Sequence, residues 1–220
     1  MRVLFVTATA FEVESLKSKI ESIGTTASFE LSTSNFKLLT TGVGMVATAY
    51  ALGRELAANQ YDLAINLGIA GSFDRCIPLG DIVEITEDTL SELGAEDDEN
   101  FLPITQMGFG ESTFKATQSI ANLSNNFKLT QATAITVNTV HGNQVSIQKL
   151  QARHNSQIES MEGAAFFHAC NTAMVPCIQI RAVSNYVEKR NRDNWQIGLA
   201  VKNLNTFALE LLERLKVAKL

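Results

Sequence analysis

Short apolar runs rich in branched side chains alternate with helix-period segments along the whole chain, and few folds accommodate that alternation. RVLFVTA (2–8) has the length and branching of a buried strand. FEVESLKSKIESI (11–23) follows, with Val13, Leu16, Ile20 and Ile23 on one helical face. ASFEL (27–31) and FKLLTTG (36–42) read as a hairpin or as two adjacent strands. A small-residue helix is expected over 43–59 and a strand running into a glycine-rich loop over 62–74. Another strand covers 80–86, and an acidic polar stretch covers 86–100. Then come a strand plus loop (133–143), a helix (146–154), a second helix (159–173), an apolar strand (177–183) and a long amphipathic helix (194–218). Strands separated by helices predict the α/β class with a largely parallel or mixed sheet. In such a sheet ligands sit past the carboxyl ends of strands. TTGVG (40–44), NLGIAG (66–71) and AVSN (182–185) lie there, so function is expected at those ends.

Composition narrows the functional class. No repeat or linker divides the 220 residues, so one domain over 1–220 is expected. Hydrophobic residues make up 45%, enough for a packed core. A net charge of −5 excludes a protein-wide basic field, so nucleic acid is not an expected partner. No stretch approaches the ~20 apolar residues of a membrane span, and the opening apolar run is too short for a signal peptide. Cys76, Cys170 and Cys177 form no CxxC pair and read as reduced thiols of a cytoplasmic protein. His141, His154 and His168 lack any metal-ligand spacing, so neither a metal nor another cofactor is expected.

Individual motifs carry competing readings. Arg181 interrupts the apolar run 177–183, and a buried guanidinium without a partner is very costly, so Arg181 must face something polar. Asn185 follows it at the strand end, either closing a turn or held out towards a ligand. Gly42, Gly44 and Ala47 make a GxGxxA pattern, but no acid stands at the end of the next strand to meet a ribose, so a nicotinamide site is disfavoured. Gly68, Ile69, Ala70 and Gly71 form either an ordinary turn or a loop whose N–H groups approach an anion or a sugar. Glu159 and Glu162 stand at the mouth of a predicted helix, where acids are favoured by the dipole. Gly163-Ala164-Ala165 is small enough to admit a ligand against that helix. Glu12 is read as a helix cap or as a carboxylate facing the cleft. The acidic run from Glu87 to Glu99 is a solvated loop, with a lid as the second reading.

The order TATAFEVE, TTGVGMVATA, NLGIAGSFD, ARHN, SMEGAA and IRAVSN resembles the nucleoside phosphorylase/nucleosidase superfamily. It is similar to methylthioadenosine/S-adenosylhomocysteine nucleosidases over most of the chain. VNTVHGN, LGAEDDE, SMEGAAFF and IRAVSNYVE resemble more closely the futalosine hydrolases of menaquinone synthesis. The resemblance implies an α/β domain around a twisted mixed sheet flanked by helices, assembled as a homodimer or larger homo-oligomer around a small-molecule nucleoside site. It implies that Glu12 activates the attacking water. Met161 and Glu162 would bind the ribose, Arg181 would line the water and sugar pocket with Glu12 and Glu162 as its partners, and Gly68 to Gly71 would form a loop beneath the sugar. His141, Gly142 and Asn143 fall where relatives contact the base, by position only.

Two residues depart from the adenine-specific pattern: Ile69 replaces a serine and Asn185 replaces an aspartate. That aspartate is the general acid at purine N7. A 6-oxopurine offers two acceptors, N7 and O6, to which an asparagine amide can donate and an ionised aspartate cannot. The expected reaction is therefore hydrolysis of the N-glycosidic bond of a 6-oxopurine nucleoside, futalosine being the case in point, with hypoxanthine released. The alternatives are an adenine-type nucleosidase, a purine nucleoside phosphorylase, which a carboxylate at position 12 disfavours, and a nucleoside-binding storage protein that has lost activity.

Overall fold

The computed structural model describes residues 1–25, 35–123 and 127–217. The predicted strand at 27–31 lies outside them. The first strand, β1 (Val3–Thr7), is followed by a 3-10 turn (Ala10–Val13) and α1 (Glu14–Thr25). β2 (Phe36–Thr40), α2 (Met45–Ala58), β3 (Leu63–Ser72) and β4 (Ile82–Leu90) come next. β5 (Gly94–Asp97), β6 (Asn100–Pro103), β7 (Thr113–Lys115), α3 (Ile120–Leu123) and β8 (Thr130–Thr136) follow. The chain then forms α4 (Gln144–Arg153), β9 (Ile158–Ser160), α5 (Gly163–Thr172), β10 (Cys177–Tyr186) and α6 (Ile197–Val217).

Among the described residues eight strands make one mixed sheet, and β5 and β6 form a separate hairpin. β3 is its axis. On one edge its first half pairs in parallel with β1 and its last two residues antiparallel with β9, while its other edge pairs in parallel with β10 along nearly its whole length. β10 also pairs antiparallel with β4, β4 in parallel with β8, and β8 in parallel with β9. The pairing thus returns to β3, closing five strands into a ring with β1 and β2 on the open side. A strand with neighbours on both edges and helices on both faces must be apolar throughout, which is why β1 is buried at every position.

The helices divide by face. Val13, Leu16, Leu204, Leu211 and Leu212, from the turn, α1 and α6, pack on Phe5, Ile65, Leu67 and Ile180. Leu52, Phe166, Phe167 and Cys170, from α2 and α5, pack on Leu4, Val6, Val83 and Val183. Along α6 the buried residues Ala200, Leu204, Phe207, Ala208, Leu211, Leu212 and Leu215 recur at three- and four-residue steps, the stripe that holds this helix down. Truncating one such leucine costs about 2–5 kcal/mol.

Three sequence expectations are corrected. Gly68 to Gly71 are not a loop: β3 continues through them to Ser72, because β10 pairs along all four residues and β9 joins the other edge at Gly71. The acidic stretch does not begin in solvent: β4 runs to Leu90, and Asp88 within it is fully buried. The segment 159–173 is not one helix. Residues 158–160 pair with β3 and β8, and helix starts only at Gly163. In each case long-range pairing overrides local pattern.

Candidate active site

The carboxyl ends of β1, β3 and β10 open into a cavity of about 400 Å³. Glu12, Ile69, Ala70, Gly71, His141, Met161, Glu162 and Asn185 all line it. Gly68 and Arg181 lie beneath it.

Glu12 is placed by the turn after β1. Its Oε2 accepts from Thr9 N (2.9 Å), Thr9 Oγ1 (3.0 Å) and Thr7 Oγ1 (3.1 Å), and its Oε1 accepts from Ile69 N (3.1 Å). The two sequence readings of Glu12 are therefore compatible: one oxygen closes the turn while the other reaches the cavity floor. Four donors set its orientation more firmly than a flexible side chain could by itself.

Arg181, 1% exposed, has a different partner from the ones the resemblance implies. Its Nε and Nη2 donate to Gln179 Oε1 (3.0 and 2.7 Å), rather than to Glu12 or Glu162. Gln179 lies two residues back, on the same face of β10, so it meets the guanidinium without a detour. Gln179 Nε2 in turn donates to Asp88 Oδ2 (3.0 Å), and Thr136 Oγ1 donates to Asp88 Oδ1 (2.8 Å). Thr136 Oγ1 accepts from Ala164 N (2.7 Å) at the start of α5. A chain of side chains thus links Arg181 to the start of the helix that follows the ribose-binding candidates. Burial pushes the Asp88 carboxyl up to about 6, against the pull of Gln179, Thr136 and the Arg181 charge.

Two glycines make room for this layer. A Cβ on Gly68 would stand 2.1 Å from Arg181 Nη1 and 3.2 Å from Glu12 Oε1. A Cβ on Gly163 would stand 2.0 Å from Asp88 Oδ2 and 2.1 Å from Gln179 Oε1. The small residues after Glu162 therefore admit Asp88 and Gln179, and Ala164 and Ala165 are buried in the core rather than turned to a ligand.

Glu162 precedes α5 and accepts from Gly44 N (2.9 Å). Gly44 adopts φ +95°, a backbone conformation that side chains disfavour, so this glycine lets TTGVG aim an N–H at the carboxylate. The GxGxxA pattern serves that contact.

At the opposite end a bulge sets Asn185. Ala70 pairs with Val183 and Gly71 with Asn185, leaving Ser184 as the extra residue of β10. Ser184 Oγ lies 2.8 Å from Asn185 Oδ1, and Asn185 Nδ2 donates to Tyr186 O (3.1 Å). Because a carbonyl only accepts, the amide orientation follows: NH₂ towards Tyr186, with one hydrogen still available. Gly71 accommodates the amide, since a Cβ there would stand 3.2 Å from Nδ2.

His141 stands across the cavity, its backbone N donating to Glu159 Oε1 (2.9 Å) and its Nδ1 bonded to Glu159 Oε2. Burial raises the Glu159 carboxyl, opposed by the two His141 contacts. Gly142 and Asn143 do not line the cavity. Asn143 caps α4, accepting from Val145 N (2.9 Å) and Ser146 N (3.3 Å), and Gly142 O accepts from Arg190 N (3.0 Å). An Asn four residues before an apolar helical position is a capping signal, so that role was available in the sequence.

Sequence reasoning missed Thr7, Thr9, Gln179 and Asp88, and it placed Glu159 on a helix. Gln179 left a trace: a second polar residue two positions from Arg181 in an otherwise apolar strand. The rim is apolar, with Phe11, Val43, Val140 and Trp195. Among the described residues no group of three or more His, Cys, Asp or Glu side chains is placed to hold a metal ion, and no helix is long and apolar enough to cross a membrane.

A closed α/β sheet with three buried carboxylates and an oriented amide around one cavity defines a small-molecule enzyme site. The chain belongs to the phosphorylase superfamily, whose sequence model matches residues 2–215. It is 32% identical over 218 residues to the futalosine hydrolase of Streptomyces coelicolor, covering 93% of this chain and 92% of that protein. It is 29% identical over 182 residues to the futalosine hydrolase of Thermus thermophilus, covering 80% and 81%. In fold it matches the 5′-methylthioadenosine/S-adenosylhomocysteine nucleosidase of Colwellia psychrerythraea solved with adenine. That match has a TM-score of 0.76 at 24% identity over 98% of this chain and 96% of that one. The native futalosine hydrolase of Helicobacter pylori superposes with a TM-score of 0.79 at 14% identity, covering 100% and 98%.

Proposed function

We propose that this protein hydrolyses the N-glycosidic bond of a 6-oxopurine nucleoside, futalosine, releasing hypoxanthine. The observation that carries the reading is the Asn185 amide, held by Ser184 and Tyr186 at the end of a cavity whose other end holds Glu12 and Glu162. Support also comes from the relatives that bear the name futalosine hydrolase.

Glycosidic cleavage builds positive charge on the ribose and negative charge on the departing base. Groups that meet those charges stabilise the transition state more than the ground state. Glu12 takes a proton from the attacking water, its orientation set by Thr7, Thr9 and Ile69 N–H. Glu162 accepts from the ribose 2′- and 3′-hydroxyls, with Met161 beside it. Asn185 directs its one remaining N–H hydrogen, shared between N7 and O6, at the base as it leaves. Phosphate is a poorer nucleophile here: Glu12, Glu159 and Glu162 line the cavity, while the Arg181 guanidinium is engaged beneath it with Gln179.

The test is incubation with futalosine, inosine and methylthioadenosine, with and without phosphate, reading the released base by chromatography. Hypoxanthine from futalosine independent of phosphate is the expected result. Adenine release alone, or dependence on phosphate, overturns it. We also infer a homo-oligomer in the cytoplasm. Phe11 and Val43 at the cavity rim, with Val46 and Tyr50 on α2, are exposed apolar side chains suited to a second copy of the chain. Light scattering should find at least a dimer, and Tyr50→Glu with Val46→Glu should release monomer.

A further inference from the structure

Glu159 and His141 stand in the cavity wall with no part in water activation or ribose binding. Glu159 is 3% exposed, and its two oxygens are taken up by one residue, the backbone N–H and the imidazole Nδ1 of His141. Among the described residues His141 Nε2 has no hydrogen-bond partner, and the residue lines the cavity. The sheet places this pair opposite Asn185. Gly71 is the register partner of Glu159 on one edge of β3 and of Asn185 on the other. The two residues are thus about 10 Å apart at Cα, two strand spacings, with a side-chain-free position between them. Side chains in register on neighbouring strands stand on one face, so Gly71 is a bare floor between two polar walls.

On the 6-oxopurine reading above, we propose that Glu159 and His141 form the second half of base recognition. Glu159 holds His141 in its Nδ1–H tautomer, and the bare Nε2 accepts a hydrogen bond from the N1–H of the base. A carboxylate can only accept, so the shared proton belongs on Nδ1 and Nε2 presents a lone pair. The edge of a 6-oxopurine runs acceptor, acceptor, donor through N7, O6 and N1–H. Asn185 donates to the first two and His141 accepts from the third. Adenine reverses the pattern at its 6-amino group and at N1, and so opposes both residues. His141 is then a specificity residue, and Glu159 a positioning residue that acts through it.

The test compares kcat/KM for the hypoxanthine and adenine versions of one nucleoside in wild type, Glu159→Gln and His141→Phe. A glutamine can keep the backbone N–H with its carbonyl while its NH₂ donates to Nδ1, which moves the imidazole proton to Nε2. Glu159→Gln should therefore lose about 10²-fold on the hypoxanthine nucleoside and shift its preference towards adenine, because a buried mismatch leaves polar groups opposed. His141→Phe should reduce the hypoxanthine preference to the share that Asn185 supplies, without gaining for adenine. A uniform loss with the wild-type base ratio retained in both variants overturns the proposal, since that is what a merely structural pair would produce. If Glu159→Gln does not fold, His141→Phe decides alone. If wild type cleaves no hypoxanthine nucleoside, the functional reading fails instead. The affinities of free hypoxanthine and adenine for the same proteins, by calorimetry, then decide the pair separately.

Discussion

The two ends of the cavity are built differently. At the sugar end each carboxylate has main-chain donors: Thr9 N and Ile69 N hold Glu12 beside the Thr7 and Thr9 hydroxyls, and Gly44 N holds Glu162. Behind them lies a buried side-chain layer from Arg181 to Thr136, admitted by Gly68 and Gly163. At the base end the polar groups are set mainly by other side chains, Asn185 by Ser184 and His141 by Glu159. Main-chain donors survive substitution of their neighbours, whereas a side-chain pair changes chemistry when either member changes. The reaction is thus seated in the part least altered by substitution, and substrate choice in the part most easily altered.

Four substitutions probe that contrast. The largest effect is expected at Glu12. Glu12→Gln should lower kcat by about 10²–10⁴-fold, the usual worth of general-base assistance, with the fold and nucleoside binding kept. Wild-type turnover would reduce Glu12 to closing the turn after β1.

Asn185→Asp comes next. It should depress futalosine cleavage by about 10²-fold, the scale of losing one transition-state donor. Its residual rate should rise as pH falls, because only the protonated acid donates. An unchanged rate and a flat profile would move base recognition away from Asn185.

Glu162→Ala should weaken binding and rate together by about 1.5–3 kcal/mol, the range for hydrogen bonds to a charged group. A 2′-deoxy substrate should cost wild type a similar amount and the variant little more. Fully additive penalties would place Glu162 away from the ribose diol.

The smallest effect tests the layer beneath. Burial pushes the Asp88 carboxyl up to about 6 from its ordinary value of 3.8. Between those values the native state holds a proton that the unfolded state has released. Stability from this group therefore falls as pH rises from about 4 to 6, by at most about 1.4 kcal/mol per pH unit. Asp88→Asn should remove that slope in urea melts taken across the interval. If both proteins lose stability equally, the buried carboxyl is not the group titrating.

Legibility in the sequence followed the same divide between local and distant causes. The α/β class, nearly every helix, and the strands β1 and β10 were readable because burial imposes periodicity on consecutive residues. Glu12, Glu162 and Asn185 came forward as site candidates through the resemblance, since local pattern alone offered a helix-capping role for the two acids and a turn for the asparagine. The role of Glu159 was not readable. It lies beside Glu162 in a segment with helical pattern, and only pairing of residues 158–160 with β3 and β8 turns it into the wall facing Asn185. Asp88 was hidden for the same reason. Its neighbours are acidic and polar, and its burial depends on β4 being covered by β10, β8 and α5. Arg181 announced that it needed a partner, but choosing Gln179 over two carboxylates depended on which atoms the closed sheet brought within reach. By itself the sequence determined most of the strand and helix segments and which of their faces are apolar, because those are properties of neighbouring residues. Only the tertiary structure decided which polar atoms meet, because hydrogen bonds between distant residues, such as Gln179 to Asp88, 91 positions apart, depend on strand register that local pattern does not encode.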